Sequence, residues 1–372
     1  MRFDQITTSF HDNVPPFVEA EMDRLYQNIG SSMSQFRAYD ESMDDVSTYV
    51  ARDGEDPVAI FLFRRKQGKI HVMNEVIRID HQEIKRFADA VFKQFNDVHV
   101  VLFKAIETDV GRLPFPYQRF NCLEDIAMDL PETPEKYLAG LGKNTRRNIK
   151  RYTDRLMRSF PSSQFEAYEK EEVESQFVRE IIELNRARMS EKNKVSIIDD
   201  TEARHISSLA HECGLVGVMR INGRIRAGAI SYRVGDCFYL NVLAHDPHYD
   251  DYWIGILCCY MTIRECIKRG GREFHFLWGR YDYKFILGAS QRDLDTVVVY
   301  RSKLATMMNA DMVLQTAWKG YMRQIKLWLK YSNGPVPKMI GRMVKRVADA
   351  RGKVVRPVPI INESMLSHTP KK

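Results

Sequence analysis

The sequence predicts an α/β protein in which one unit, three strands, a helix and a further strand, occurs twice and is followed by a basic helical extension. Three observations lead there. Apolar residues alternate with period two and then switch to helical spacing over 46–106, and the same order recurs within 173–301. The composition is that of a globular chain, with 44% hydrophobic and 28% charged residues. A length of 372 residues also exceeds what one ordinary core organises.

In the first unit, VSTYVAR (46–52), VAIFLFRR (58–65) and IHVMNEVI (70–77) read as strands, with turns at DGEDP and KQGK. Ile84, Phe87, Ala88, Val91 and Phe95 then fall at helical spacing, with Asp80 as the N-cap, and VHVVLFKAI (98–106) closes the unit. In the second, Val178, Ile181, Ile182 and Leu184 predict a helix over 173–192, and another runs from near Asp200 to a stop at Gly214. Strands follow at 215–221, 224–234 and 237–245, joined by NG and GD turns. A helix over 253–269 ends at GG and leads to strands at 272–279 and 296–302. The halves share a plan without sharing sequence, which predicts a duplicated fold. The expected division is 1–131, 132–302 and 303–372. A long amphipathic helix spans 303–331, SNGPVP breaks it, and a shorter basic helix and a polar, disordered tail follow.

Several function classes are disfavoured. The start, MRFDQITTSFHDNVPP, has acids and no apolar run, so it does not read as a signal peptide. The longest apolar run, at 253–263, is far shorter than the roughly 20 residues a membrane span needs. The six cysteines have no paired spacing, and Cys258 and Cys259 sit together in an apolar run, as buried free thiols of a reducing cytoplasm do. With no CxxC pair and no His/Cys cluster at ligand spacing, no metal is expected. Charge is unevenly placed: 319–356 holds eleven Lys/Arg against one acid, more than the whole chain's net +7. A second basic run, 143–158, has seven Lys/Arg and one acid.

The blocks EDIAMDLPETPEKYLAGLGKNTRRNIKRYTDRL, FVREIIELNRARM and NVLAHDPHYDDYWIGILCCYMTIRECIKRGGREFHFLWGRYDYKFILGA together resemble the CelD-type acetyltransferases of the GNAT superfamily, with kinship to the Fem-type aminoacyltransferases. The resemblance covers about 120–300. His245-Asp246-Pro247 stands where the family has Tyr-Asp-Pro, and Gly255 matches its glycine at a helix start. Gly279, Tyr283, Lys284 and Gly288 match its closing pattern, while Leu257 departs from the small residue preferred there. The resemblance implies tandem GNAT-like domains, mixed and mostly antiparallel sheets flanked by helices, and a C-terminal helical extension. It further implies a strand at 237–245 that splays to admit acetyl-CoA or another acyl-CoA, with the following helix aimed at the diphosphate. The first unit has acids and no glycine at the equivalent helix start, so it is expected to be a degenerate copy without cofactor.

On this basis Leu243, Ala244, Trp253, Ile254, Gly255 and Ile256 are expected to hold the acyl-CoA. Tyr283 is the candidate acid, with His245 and Asp246 as candidate bases. A packed aromatic and an ordinary Asp-Pro turn are the structural alternatives. Period two places Cys237, Tyr239, Asn241, Leu243 and His245 on one strand face, so Asn241 is expected to reach substrate. Arg188, Arg280 and Lys284 are candidates for an acceptor's phosphate or carboxylate, against a structural ion pair or a solvated loop. Ile149, Tyr152 and Leu156 give the basic run a packed face, leaving Arg147 and Arg151 outward to steer an anionic acceptor. No GxSxG or Cys–His nucleophile signature occurs, which favours direct transfer to an amine or hydroxyl of a cell-envelope or polysaccharide-related acceptor. Two other readings stay open: nucleic-acid binding, which no recognised motif supports, and peripheral membrane contact through 303–356. In the latter, Leu314, Trp318, Tyr321, Met322, Ile325, Trp328 and Leu329 either face lipid or pack on the protein. The expected location is cytoplasmic, at the inner membrane surface.

Overall fold

Twelve strands form one sheet in the computed structural model of the protein, which describes residues 6–39 and 42–331. The first half runs β1 (Ile6–His11), α1 (Val18–Tyr26), α2 (Met33–Ala38), β2 (Val46–Asp53), β3 (Asp56–Lys66), β4 (Lys69–Val72), α3 (His81–Gln94) and β5 (Val100–Ile106). A long strand, β6 (Tyr117–Asp129), leads to α4 (Pro134–Gly140) and α5 (Lys143–Ser159). The second half runs β7 (Gln164–Glu169), α6 (Ser175–Glu191), α7 (Asp200–Cys213), β8 (Gly214–Ile221), β9 (Arg224–Val234) and β10 (Cys237–His245). It continues with α8 (Ile254–Lys268), β11 (Glu273–His275), α9 (Asp282–Ile286) and β12 (Ser290–Tyr300), and α10 (Lys303–Met308) and α11 (Ala310–Tyr331) follow.

The strand order is β1-β2-β3-β4-β5-β12-β6-β11-β10-β9-β8-β7. It reads the same from either end once each strand is matched with the one six places away. The pairings repeat as well. β4 meets β5 in parallel as β10 meets β11, and the remaining neighbours are antiparallel. The duplicated plan is therefore real, and it carries an exchange. β12, last strand of the second half, lies between β5 and β6, while β6 lies between β12 and β11.

Local chemistry explains most boundaries. Asp80 caps α3 by accepting from the Glu83 N–H, and Ile84, Phe87, Ala88 and Val91 are buried. Phe61, Phe87 and Phe103 meet edge to face beneath that helix. Each such buried side chain contributes roughly 1.5–3 kcal/mol, more than the ~1 kcal/mol of the cap. In the second half the sheet is covered on both faces: α8 packs on one, and α6 and α7 on the other. Gly228 lets α6 press close, because a Cβ there would stand 2.3 Å from Ile181 Cγ1.

α7 starts at Asp200 and stops at Gly214 as expected; Asp199 caps it, and Gly214, at φ −78°, goes on to open β8. Some expectations change. The strands expected at 70–77 and 272–279 stop at Val72 and His275, because Val76 (φ 60°) and Leu277 (φ 54°) turn the chain away. The helix at 303–331 is interrupted at Asn309, whose side chain donates to the Ala305 carbonyl. The short basic helix and tail expected beyond it lie outside the described residues. All six cysteines are unpaired.

Candidate active site

β10 and β11 pair only at Cys237–Glu273, Phe238–Phe274 and Tyr239–His275. Beyond them β10 follows β9 to His245, while the other chain turns off at Leu277 and Gly279 (φ 91°). Two parallel strands that share only three residue pairs leave a slot, with the backbone of 240–245 lacking a strand partner on that side. β10 also bulges at Asn241: Leu240 opposes Ser231 and Val242 opposes Ile230. The extra residue breaks the expected common face. Tyr239, Val242 and Ala244 lie on the α6 side, while Leu240 and Leu243 lie on the α8 side. Asn241 donates its amide to Tyr232 Oη at 2.9 Å.

α8 begins beside the far end of β10, and no side chain caps it. Its first-turn N–H groups are thus available to a ligand's oxygens. Trp253, left-handed at φ 59°, leads in, and the Ile254 side chain is fully buried, so its contribution to a ligand is backbone. Gly255 was expected to let phosphate approach. The space beside it is instead filled by His245, since a Cβ on Gly255 would stand 2.4 Å from the imidazole Nδ1. That Nδ1 is buried without a partner, while Nε2 lies 2.7 Å from Asp250 Oδ1. Burial, and then the charges of Arg188 and Lys192, hold His245 below its ordinary pKa of 6.5 against the pull of Asp250. His245 is therefore neutral at pH 7.

The basic helix α5 is fastened to this same spot. Tyr152 stacks on Trp253 with ring centroids 4.9 Å apart, and the Arg151 guanidinium lies 4.6 Å from the Tyr152 centroid. Arg155 covers Tyr252 at 4.9 Å. Ile149 and Leu156 are buried, and Arg147 and Arg151 are exposed.

Arg188, half-buried on α6, has no hydrogen-bond or ion-pair partner among the described residues. Its charge reaches both His245 and Tyr283. Tyr283, on α9, packs edge-on against Phe276 and stacks on Tyr281. Burial, reinforced by Cys259 and Tyr281, raises its hydroxyl well above 10, with Arg188 opposing. It keeps its proton throughout the physiological range.

Two expectations are corrected. Asp246 is an anchor rather than a base: it accepts from Arg226 (2.9 Å) and from the His248 ring (2.7 Å) and N–H (3.1 Å). Burial opposes its charge, but these donors prevail and hold the carboxyl below its usual range. Lys284 does not face an acceptor. It is buried, and Nζ donates to the carbonyls of Phe276 (2.7 Å), Leu277 (3.3 Å) and Trp278 (2.7 Å), with burial pushing it down to about 8. It ties down the turn that opens the slot. Arg280 is exposed at that turn.

Two features had no sequence signal. Asp250 reaches His245 only because a 3₁₀ turn at Pro247–Tyr252 folds back. At the closed end of the slot, His275 Nδ1 meets Asp125 at 2.7 Å, its Nε2 lies 3.0 Å from Glu273, and Glu273 binds Arg292 at 2.9 Å. Donor atoms of Cys237, Glu273 and His275 fall within 4.8 Å of one another, a grouping that sequence spacing could not show because it spans two strands. With Glu273 held by Arg292 of β12 and His275 by Asp125 of β6, the ion pairs clamp β11 to those two strands.

Comparison with known proteins agrees with this geometry. Residues 143–285, from α5 to α9, match the family model described as an acetyltransferase (GNAT) domain. The crystal structure of FemX is similar at a TM-score of 0.58 and 8% identity, covering 81% of this chain and 99% of that one. L-PGS from Bacillus licheniformis reaches 0.49 at 14% identity, covering 83% and 98%. A conserved protein of unknown function from Bacteroides thetaiotaomicron reaches 0.48 at 12% identity, covering 79% and 100%. No curated protein matches the sequence. At 8% identity the likeness to FemX is one of fold. Residues 143–285, which include β10, α8 and β11 around the slot, thus match a GNAT acetyltransferase domain.

Proposed function

We propose that the protein is a CelD-type acyltransferase that moves an acyl group, acetyl in the first instance, from acyl-CoA directly to an amine or hydroxyl of an anionic cell-envelope or polysaccharide-related acceptor. The observation that carries this is the slot between β10 and β11, which runs to the uncapped start of α8, with half-buried Arg188, partnerless among the described residues, beside it. The residues present fit such a donor. An extended pantetheine arm can pair with the open edge of β10 as an added strand would. The first-turn N–H groups of α8, flanked by Arg151 and Arg155 of α5, suit the diphosphate.

The thioester supplies an activated acyl carbon, and the protein's part is to position it, take up one proton and stabilise one anion. As the acceptor attacks, its bond to the acyl carbon forms and the carbon–sulfur bond breaks. The acceptor's proton goes to the exposed Asp250 carboxylate that His245 Nε2–H holds in place, and the Tyr283 hydroxyl donates a hydrogen bond to the departing thiolate. Full transfer of the Tyr283 proton is uphill, because a thiol's pKa is near 8.5 and the tyrosine's is raised above 10. Tyr283 therefore stabilises charge rather than surrendering its proton. Arg188 receives a carboxylate or phosphate of the bound substrates, and Arg147 and Arg151 draw the acceptor in.

Incubating the pure protein with labelled acetyl-CoA and a cell-envelope extract tests the reading. Label should move to an acceptor. Arg188→Ala should cut transfer roughly 10- to 100-fold, the equivalent of one lost charge-assisted hydrogen bond. Charge reversal at Arg147 and Arg151 should raise the acceptor KM while calorimetric acetyl-CoA binding stays intact. Absence of both acyl-CoA binding and transfer would overturn the proposal.

A further inference from the structure

α11 is an amphipathic helix packed the wrong way round. Its contact with the sheet is made by Met312 and Val313 at its start, on Val100, Val298 and Tyr300, and beyond them by small and polar residues. Thr316 is buried, Gly320 sits against Phe120, and Arg323 donates to Asn121 at 2.8 Å and pairs with Glu124. Leu314, Trp318, Tyr321, Ile325 and Trp328 recur at spacings of four, three, four and three, which puts them on one arc. That arc is opposite Thr316 and Gly320. Leu314 is 70% exposed, Trp318 63%, Tyr321 59% and Trp328 48%. Leu304, Met307 and Met308 of α10 are exposed as well. A helix that only packed on its own protein would turn this face inward.

We propose that the outer face of α10 and α11 docks on an anionic lipid bilayer, with the helix lying along the surface. Two tryptophans and a tyrosine among leucine, isoleucine and methionine suit the boundary between headgroups and acyl chains. Charge selects the occupant. From 319 to 356 the chain has eleven Lys/Arg and one acid, which an anionic surface attracts. A second copy seated on this face would bring two such segments together, and like charge opposes that. No helix among the described residues is long and apolar enough to cross a membrane, so the contact is peripheral. The proposal goes beyond the acyl-transfer reading, and vesicle binding tests it whether or not transfer is found.

The experiment is sedimentation of the full chain with extruded vesicles of phosphatidylcholine alone and of phosphatidylcholine mixed with phosphatidylglycerol. Binding is expected to the anionic vesicles, weakening as salt rises, with a blue shift of tryptophan emission. Leu314→Gln combined with Trp318→Gln should weaken it at least about ten-fold without changing the thermal melt, since both side chains are solvent-exposed. Three results would overturn the proposal: no vesicle binding by the parent chain, undiminished binding by the double variant, which would assign the contact to the basic segment alone, or a dimer that the same substitutions dissociate.

Discussion

At the scale of single residues, the site depends on groups placed where their ordinary chemistry is altered. His245 is closed in on its Nδ1 side by Gly255 and tied to Asp250 by Nε2, so a proton added to it enters a site with no room to solvate it. Its folded pKa lies below 6.5, with burial the main cause and the charge of Arg188 the next. The sign follows: the neutral form predominates above pH 6.5 and is lost as pH falls through the depressed folded value. Transfer rates should therefore stay level from pH 7.5 to about 6.5 and fall only below that, and His245→Gln should lose that acid limb. A limb unchanged in the variant would assign it to another group. In sequence Arg188 stood beside Arg280 and Lys284 as one of several candidate anion ligands. What distinguishes it is the lack of a partner among the described residues in a half-buried setting, where an unpaired charge is costly unless a ligand completes it.

At the scale of elements, β10 and α8 work as one device. The bulge at Asn241 re-aims the end of the strand, and the glycine in the first turn of the helix accepts the imidazole that the strand delivers. Gly255→Ala should show the coupling. Its Cβ would stand 2.4 Å from Nδ1 and 3.0 Å from Cε1, inside van der Waals contact. The expected cost is roughly 1–3 kcal/mol of stability, read as a lower urea midpoint. The ring should be expelled, and the pKa of His245 should return towards 6.5. Wild-type stability and an unmoved pH profile in this variant would show that the two elements are not coupled. α5 joins the device through the Tyr152–Trp253 stack, which is why a helix that reads as a nucleic-acid arm in isolation lies at the head of the slot.

At the scale of the molecule, the two halves are interlocked. β12 makes ten register pairs with β6, and β11 reaches the rest of the sheet through β6 as well. Cutting at the expected boundary between 131 and 132 removes β6 from the half that carries the site. The fragment 132–302 should therefore aggregate and show no cooperative melt, and co-expression with 1–131 should restore a soluble pair. A fragment that melts cooperatively by itself would contradict this. The intact chain should unfold in a single calorimetric transition, because its central strands belong to both halves.

The sequence alone determined the repeated unit, the α3 cap at Asp80, the three strands that lead to His245, and the family resemblance of the second half. Those are local: periodicity, turn residues and caps act within a few positions of one another. It was silent on β6 as a shared strand, because an isolated stretch such as 117–129 carries no mark of its neighbour. It misjudged the face of β10, since a bulge inverts a period of two and is set by register against β9. It left Lys284 between an acceptor ligand and a solvated loop, and Asp246 between a base and an Asp-Pro turn, where the fold supplies three carbonyls to one and an arginine and a histidine to the other. Tertiary structure alone decided those points, because the charge state of a buried group and the direction of an amphipathic face are settled by what lies across from them.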